Sequence, residues 1–82
     1  MKLVYFASLR ERIGKAEEEV DLPESVRTVA DLTAWLAARD EFYAAAFADG
    51  IARAAIDKNH AKPEATIAGA REIAFFPPMT GG

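Results

Sequence analysis

The sequence predicts an α+β fold: a mixed sheet of four to five strands packed on one main helix, with a second short helix. Three observations predict it. Apolar runs that suit strands stand near both ends of the 82 residues, at Leu3-Val4-Tyr5-Phe6 and at Ile73-Ala74-Phe75-Phe76. Between them, Val29, Leu32 and Leu36 recur at helical spacing and form one apolar face. Finally, Asp57-Lys58-Asn59-His60 is a turn signal, which calls for strands on either side of it. A chain of this length has room for one domain.

The elements follow in order. Lys2 to Leu9 reads as a strand whose residues are apolar on both alternating faces, as in a central strand. The stretch Ser8 to Gly14 then leads to a turn at Gly14-Lys15. Glu17 to Leu22 alternates weakly and reads as an edge strand whose charges discourage edge-to-edge pairing, ended by Pro23. The two strands form a hairpin with a longer, partly ordered connection. Thr28 starts the main helix, capping its free N–H groups, with Asp31 three residues on at the positive end of the dipole. This is a near-match to the capping box, which prefers Glu or Gln there. Trp35 borders the apolar face, and the helix runs to about Arg39. A second, Ala-rich helix spans about Glu41 to Ala48, anchored by Phe42, Tyr43 and Phe47 and closed by Asp49-Gly50. Ile51 to Ile56 is ambiguous on propensity, Lys62-Pro63-Glu64 is loop, and Ala68-Gly69-Ala70 is a turn. Glu72 to Phe76 is the last strand.

Alternation puts Ile73 and Phe75 on one face of that strand and Ala74 and Phe76 on the other. In the first strand, Leu3 and Tyr5 oppose Val4 and Phe6. One helix covers one sheet face only. Apolar surface is therefore expected on the second face near the C-terminus, the kind of patch that docks to a partner.

Composition removes several function classes. A net charge of −3 argues against a general nucleic-acid binder. No segment approaches the ~20 apolar residues of a membrane span. The apolar run at Leu3 to Phe6 is too short for a signal peptide, so the expected location is cytoplasmic. There is no cysteine, hence no disulfide and no thiolate nucleophile. With His60 the single histidine, neither a multi-histidine metal cage nor a redundant triad can form.

The last residues, Phe75-Phe76-Pro77-Pro78-Met79-Thr80-Gly81-Gly82, are the most distinctive. Pro77 and Pro78 fix φ and lack an N–H, so the strand cannot continue through them. A Gly-Gly end adds nothing to packing. Residues 1–76 thus read as a folded domain and 77–82 as an extended tail. A tail with no use to the fold reads as the working end, and its reactive group as the α-carboxylate of Gly82.

The strand-strand-helix-strand-strand order around one helix, ending in Gly-Gly, resembles the β-grasp, ubiquitin-like proteins. Within them, Glu72-Ile73-Ala74-Phe75-Phe76-Pro77-Pro78-Met79-Thr80-Gly81-Gly82 resembles the C-terminus of the small, sulfur-carrier subunits of molybdopterin synthase. Val4-Tyr5-Phe6-Ala7-Ser8-Leu9-Arg10-Glu11 resembles the first strand of that family, and Thr28-Val29-Ala30-Asp31-Leu32 its helix start. The chain departs from the family pattern at Asp57-Lys58-Asn59-His60 and at Gly69-Ala70-Arg71-Glu72.

The resemblance implies a chemistry. A free carboxylate is a poor electrophile, and that of Gly82 is ionised at neutral pH. In the family, a ubiquitin-activating-like enzyme adenylates it with ATP, and a sulfur donor such as a cysteine desulfurase or rhodanese leaves a thiocarboxylate. The carrier then donates sulfur to cyclic pyranopterin monophosphate inside the large catalytic subunit, in a heterotetramer of two small and two large subunits. The implied roles are Gly82 as acyl-adenylate and thiocarboxylate, and Gly81 as a residue small enough for a narrow channel. Phe6, Phe75, Phe76, Pro77, Pro78, Met79 and Thr80 would contact the partner, although one of the two phenylalanines, Phe75 in preference, also reads as core. No cofactor is bound permanently and catalytic groups belong to the partners. Extended, residues 77–82 reach roughly 18–20 Å, and the prolines limit the entropy lost on threading.

Other features have plainer readings. Arg10, Arg12 and Lys15 read as a solvated loop, Glu17-Glu18-Glu19 as a soluble edge, His60 as a turn residue and Trp35 as helix-side packing. Three alternatives stay open at this point: a carrier for thiamine or another thio-cofactor, a β-grasp binding module without acyl chemistry, and a modifier conjugated to lysines.

Overall fold

The structure is a computed structural model and describes residues 1–48, 50 and 52–78. In chain order the elements are β1 (Lys2–Tyr5), α1 (Ala7–Ile13), β2 (Glu17–Glu19), α2 (Val29–Ala37), α3 (Glu41–Phe47), β3 (Arg53–Ile56), β4 (Asn59–Ala61) and β5 (Glu72–Phe76). The strands form one mixed sheet in the order β2-β1-β5-β3-β4. This is the α+β, β-grasp arrangement that the sequence predicts.

β5 lies at the centre. It pairs in parallel with β1, where Leu3 faces Ile73 and Tyr5 faces Phe75, and antiparallel with β3, where Ala54 faces Phe75. The two hairpins complete the sheet at its edges, β1 with β2 and β3 with β4. The period-2 alternation sends Leu3, Tyr5, Ile73 and Phe75 to one face, where they are fully buried with Leu32 and Leu36 of α2. Each such side chain contributes roughly 1.5–3 kcal/mol by leaving water.

α2 begins where its chemistry dictates. The Thr28 hydroxyl accepts from the Asp31 N–H at 3.1 Å, and the Asp31 carboxylate accepts from the Thr28 N–H at 3.1 Å. The capping box therefore closes with Asp in the place usually taken by Glu. A further bond from the Arg27 N–H, at 3.0 Å, adds to this. Together these N–H groups hold the Asp31 carboxyl below its ordinary range. α2 ends at Ala37, slightly before the expected Arg39. α3 starts on Asp40, whose carboxylate accepts from the N–H groups of Phe42 and Tyr43.

Four expectations are corrected. The first strand ends at Tyr5, and Ala7–Ile13 is a helix that buries Leu9 and Ile13. Its entry requires Ala7 at φ 51°, a left-handed conformation that alanine rarely adopts. The connection between the first two strands is thus mostly this helix, closed by Gly14 at φ 88°. The second strand stops at Glu19, not Leu22. Phe42 is no anchor of α3: it is 58% exposed, while Tyr43, Ala46 and Phe47 are buried. Of the expected helix closure, Asp49 lies outside the described residues.

Candidate functional site

The root of the C-terminal tail is set by β5. Because β5 is hydrogen-bonded on both sides, its end is held as firmly as any part of the sheet. The ladder runs until Tyr5 opposite Phe75 and Arg53 opposite Phe76. The Phe6 N–H adds one more bond to the Phe75 carbonyl at 3.0 Å. Pro77 follows and offers no N–H, so pairing stops and the chain leaves the sheet. Pro77 and Pro78 are both half-buried. Met79, Thr80, Gly81 and Gly82, expected as contact and reactive positions, lie outside the described residues.

The two phenylalanines before the tail part company. Phe75 is 0% exposed. Its ring stacks on Tyr5 at 6.2 Å between centroids and meets Phe47 edge-on at 5.2 Å. It therefore cannot touch a docked partner, and its expected partner-binding role is withdrawn in favour of the core. Phe76 points the other way and is half-buried, its ring edge-to-face with His60 at 5.4 Å.

Phe76 belongs to the face of the sheet that α2 does not cover. Register places Val4, Ala74 and Ala55 side by side across β1, β5 and β3, with His60 of β4 next in line. Phe6, just past β1, is 49% exposed at the end of the sheet where the tail leaves. An apolar strip thus runs up to the tail root, bounded by Glu17 beside Val4 on the β2 edge and by Lys2, Glu19 and Glu72 towards the opposite end. No helix among the described residues is long and apolar enough to cross a membrane, and no cluster among them could hold a metal ion.

A polar cluster on the covered face escaped sequence reasoning. Glu18, central in β2, has a side chain only 11% exposed. Its carboxylate accepts from the Tyr43 hydroxyl at 2.6 Å, the Tyr5 hydroxyl at 2.7 Å, Arg39 at 3.1 Å and Lys15 at 3.4 Å. Burial opposes the charge on Glu18, but the hydroxyls of Tyr43 and Tyr5 and the Arg39 guanidinium outweigh it and hold its pKa at about 2. Burial, then Glu18, pushes both tyrosine hydroxyls above their ordinary range. Arg39 also covers the rings of Tyr43 and Trp35, at 4.8 and 5.3 Å. With both tyrosine hydroxyls bonded to Glu18 and no buried side-chain polar atom unpaired among the described residues, this cluster is a fastener for the edge strand rather than a reactive site. Only the register reveals it: Glu18 opposes Leu3, which puts it on the core face.

The geometry of the described residues is that of a sheet with an apolar face and an exit through two prolines. A family model described as ThiS family matches residues 3–82. The molybdopterin synthase sulfur carrier subunit of Escherichia coli is 36% identical over 84 residues, spanning 100% of this chain and 99% of the relative. That of Haemophilus influenzae is 32% identical over 82 residues, with 100% and 99% covered. Among solved structures, a Pyrococcus furiosus chain provisionally described as molybdopterin converting factor, subunit 1, superimposes with a TM-score of 0.74 at 26% identity, covering 95% of both chains. SAMP1 from Haloferax volcanii superimposes with a TM-score of 0.72 at 24% identity, covering 100% and 98%, a likeness of fold.

Proposed function

The chain belongs to the ThiS family, and from that membership we propose that it is a sulfur carrier acting as the small subunit of a molybdopterin synthase. The observation that carries the reading is the full-length match to two carriers of that name, combined with a tail that leaves the central strand beside an uncovered apolar face.

In this reading the Gly82 carboxylate is the only reacting group the chain supplies. An adenylating enzyme joins it to AMP, with pyrophosphate leaving from ATP. The outer sulfur of a donor persulfide attacks the carbonyl carbon and displaces AMP, and a thiol then reduces the acyl disulfide, joining the donor sulfur in a disulfide and releasing the terminal thiocarboxylate. The large catalytic subunit then takes the sulfur for cyclic pyranopterin monophosphate, two loaded carriers supplying the two sulfurs of the dithiolene. The carrier's own part is positional. Phe6, Val4 and Phe76 offer the docking face, and Pro77 and Pro78 direct the tail away from the sheet into the partner. Both prolines preset φ, so less chain entropy is lost on threading. A Cβ at Gly81 would obstruct a channel fitted to bare backbone.

Reconstitution tests this. Thiocarboxylated carrier, the large subunit of the same organism and cyclic pyranopterin monophosphate should yield molybdopterin, and carrier lacking Gly82 should yield none. If the loaded carrier gives no product here but serves thiazole formation for thiamine, the thio-cofactor alternative replaces this reading.

A further inference from the structure

A groove of about 500 Å³ lies beside the tail root, where β3 and β4 meet the start of α2. Val29, Pro63 and Phe76 supply apolar walls, and Arg53, His60 and Lys62 stand at the groove as well. Arg53 and His60 share the uncovered face with Phe76: Arg53 is opposite Phe76 in the ladder, and His60 packs on its ring. All three basic side chains belong to exposed or half-exposed residues. The chain as a whole carries a net charge of −3, so this basic corner runs against its overall sign.

We propose that this groove seats an acidic segment of the large synthase subunit, one that places an apolar side chain against Phe76 and carboxylates against Arg53 and Lys62. The proposal rests on the carrier reading above and adds the chemical class of the contact. Two features support it. The groove is continuous with the docking face through Phe76, so a partner that covers Phe76 also reaches the groove. Its cations are also complementary to an acidic segment and would repel a basic one, which fixes the orientation in which a partner can approach the tail. Arg53 and Lys62 are the cations that line the groove, with His60 packed on Phe76 beside them.

The test compares two charge reversals of equal size in full-length carrier binding the intact large subunit. R53E/K62E alters the groove. K58E/R71E makes the same net change at the far end of the sheet, where Lys58 and Arg71 line a separate depression with Asp57 and Glu72. The groove variant should bind at least about ten-fold more weakly at low salt, with the gap narrowing at high salt. The far-end variant should stay within about two-fold of the unaltered carrier. Equal behaviour of the two variants overturns the proposal, as does unchanged binding of R53E/K62E or a loss confined to the adenylating enzyme. If R53E/K62E does not fold, as judged by its thermal melt, R53Q/K62Q replaces it, with about three-fold weaker binding expected and none overturning the proposal. Failure of the unaltered carrier to bind the large subunit would instead defeat the carrier reading itself.

Discussion

The Tyr43 hydroxyl donates a 2.6 Å hydrogen bond to the carboxylate of Glu18, joining α3 to the edge strand β2. β2 has only three residues, and its outer edge is open. Without this tie, pairing with β1 alone would have to hold it. The Tyr5 hydroxyl reaches the same oxygen at 2.7 Å, so one carboxylate fastens β1, β2 and α3.

Replacing Glu18 with alanine leaves two nearly buried hydroxyls without their acceptor. The cost should be about 1–3 kcal/mol, read by urea denaturation at neutral pH. Glu18 also carries a pH signature. Its folded pKa of about 2 lies below the ordinary 4.5. It therefore contributes stability that is fully present above about pH 4.5 and is lost as pH falls towards 2. E18Q should lack this part of the acid loss. An E18Q profile parallel to the unaltered one between pH 4.5 and 2 would contradict the assignment.

Phe75 and Phe76 should separate stability from binding. F75A removes a ring from the centre of the core and should cost about 3–5 kcal/mol. F76A should cost far less by denaturation while weakening capture of the large subunit. Equal losses of stability would contradict the division of faces.

The turn at Asp57-Lys58 holds both residues at positive φ, 46° and 73°. Asp57 has a reason to stay, since its carboxylate accepts from the N–H groups of Arg71 and Glu72 at 3.0 and 2.9 Å. Lys58 shows no such bond, and glycine suits its conformation better. K58G should raise stability by about 0.5–1 kcal/mol, seen as a higher melting temperature.

Much of this architecture is legible in sequence because local chemistry and tertiary need agree. Alternation in Ile73 to Phe76 sorts core from surface, and Thr28 with Asp31 marks a helix start. The turn at Asp57 to His60 predicts the β3-β4 hairpin although Arg53 to Ile56 is weak on propensity. α1 is hidden because its entry depends on Ala7 at positive φ, and Phe6 gives it no side-chain cap. Glu18 is hidden between two identical neighbours, and only the register of β1 with β2 turns it inward. The expectation of a reactive end rests on composition: Gly81 and Gly82 stand out in a chain with no cysteine and a single histidine.

The stiff exit has its own test. Replacing Pro77 and Pro78 with glycine leaves the sheet ladder intact, since neither proline donates to it. Stability should change little, whereas affinity for the large subunit should fall, because a looser tail loses more entropy on threading. Isothermal titration calorimetry should show the loss in the entropic part of binding.

Intact mass spectrometry after incubation with the host's adenylating enzyme, ATP and a sulfur donor tests the central claim most directly. The account predicts a mass gain equal to the exchange of one oxygen for sulfur, located at Gly82 and absent when Gly82 is deleted. An unchanged mass with an active adenylating enzyme, or sulfur found anywhere but the C-terminal carboxylate, would contradict it.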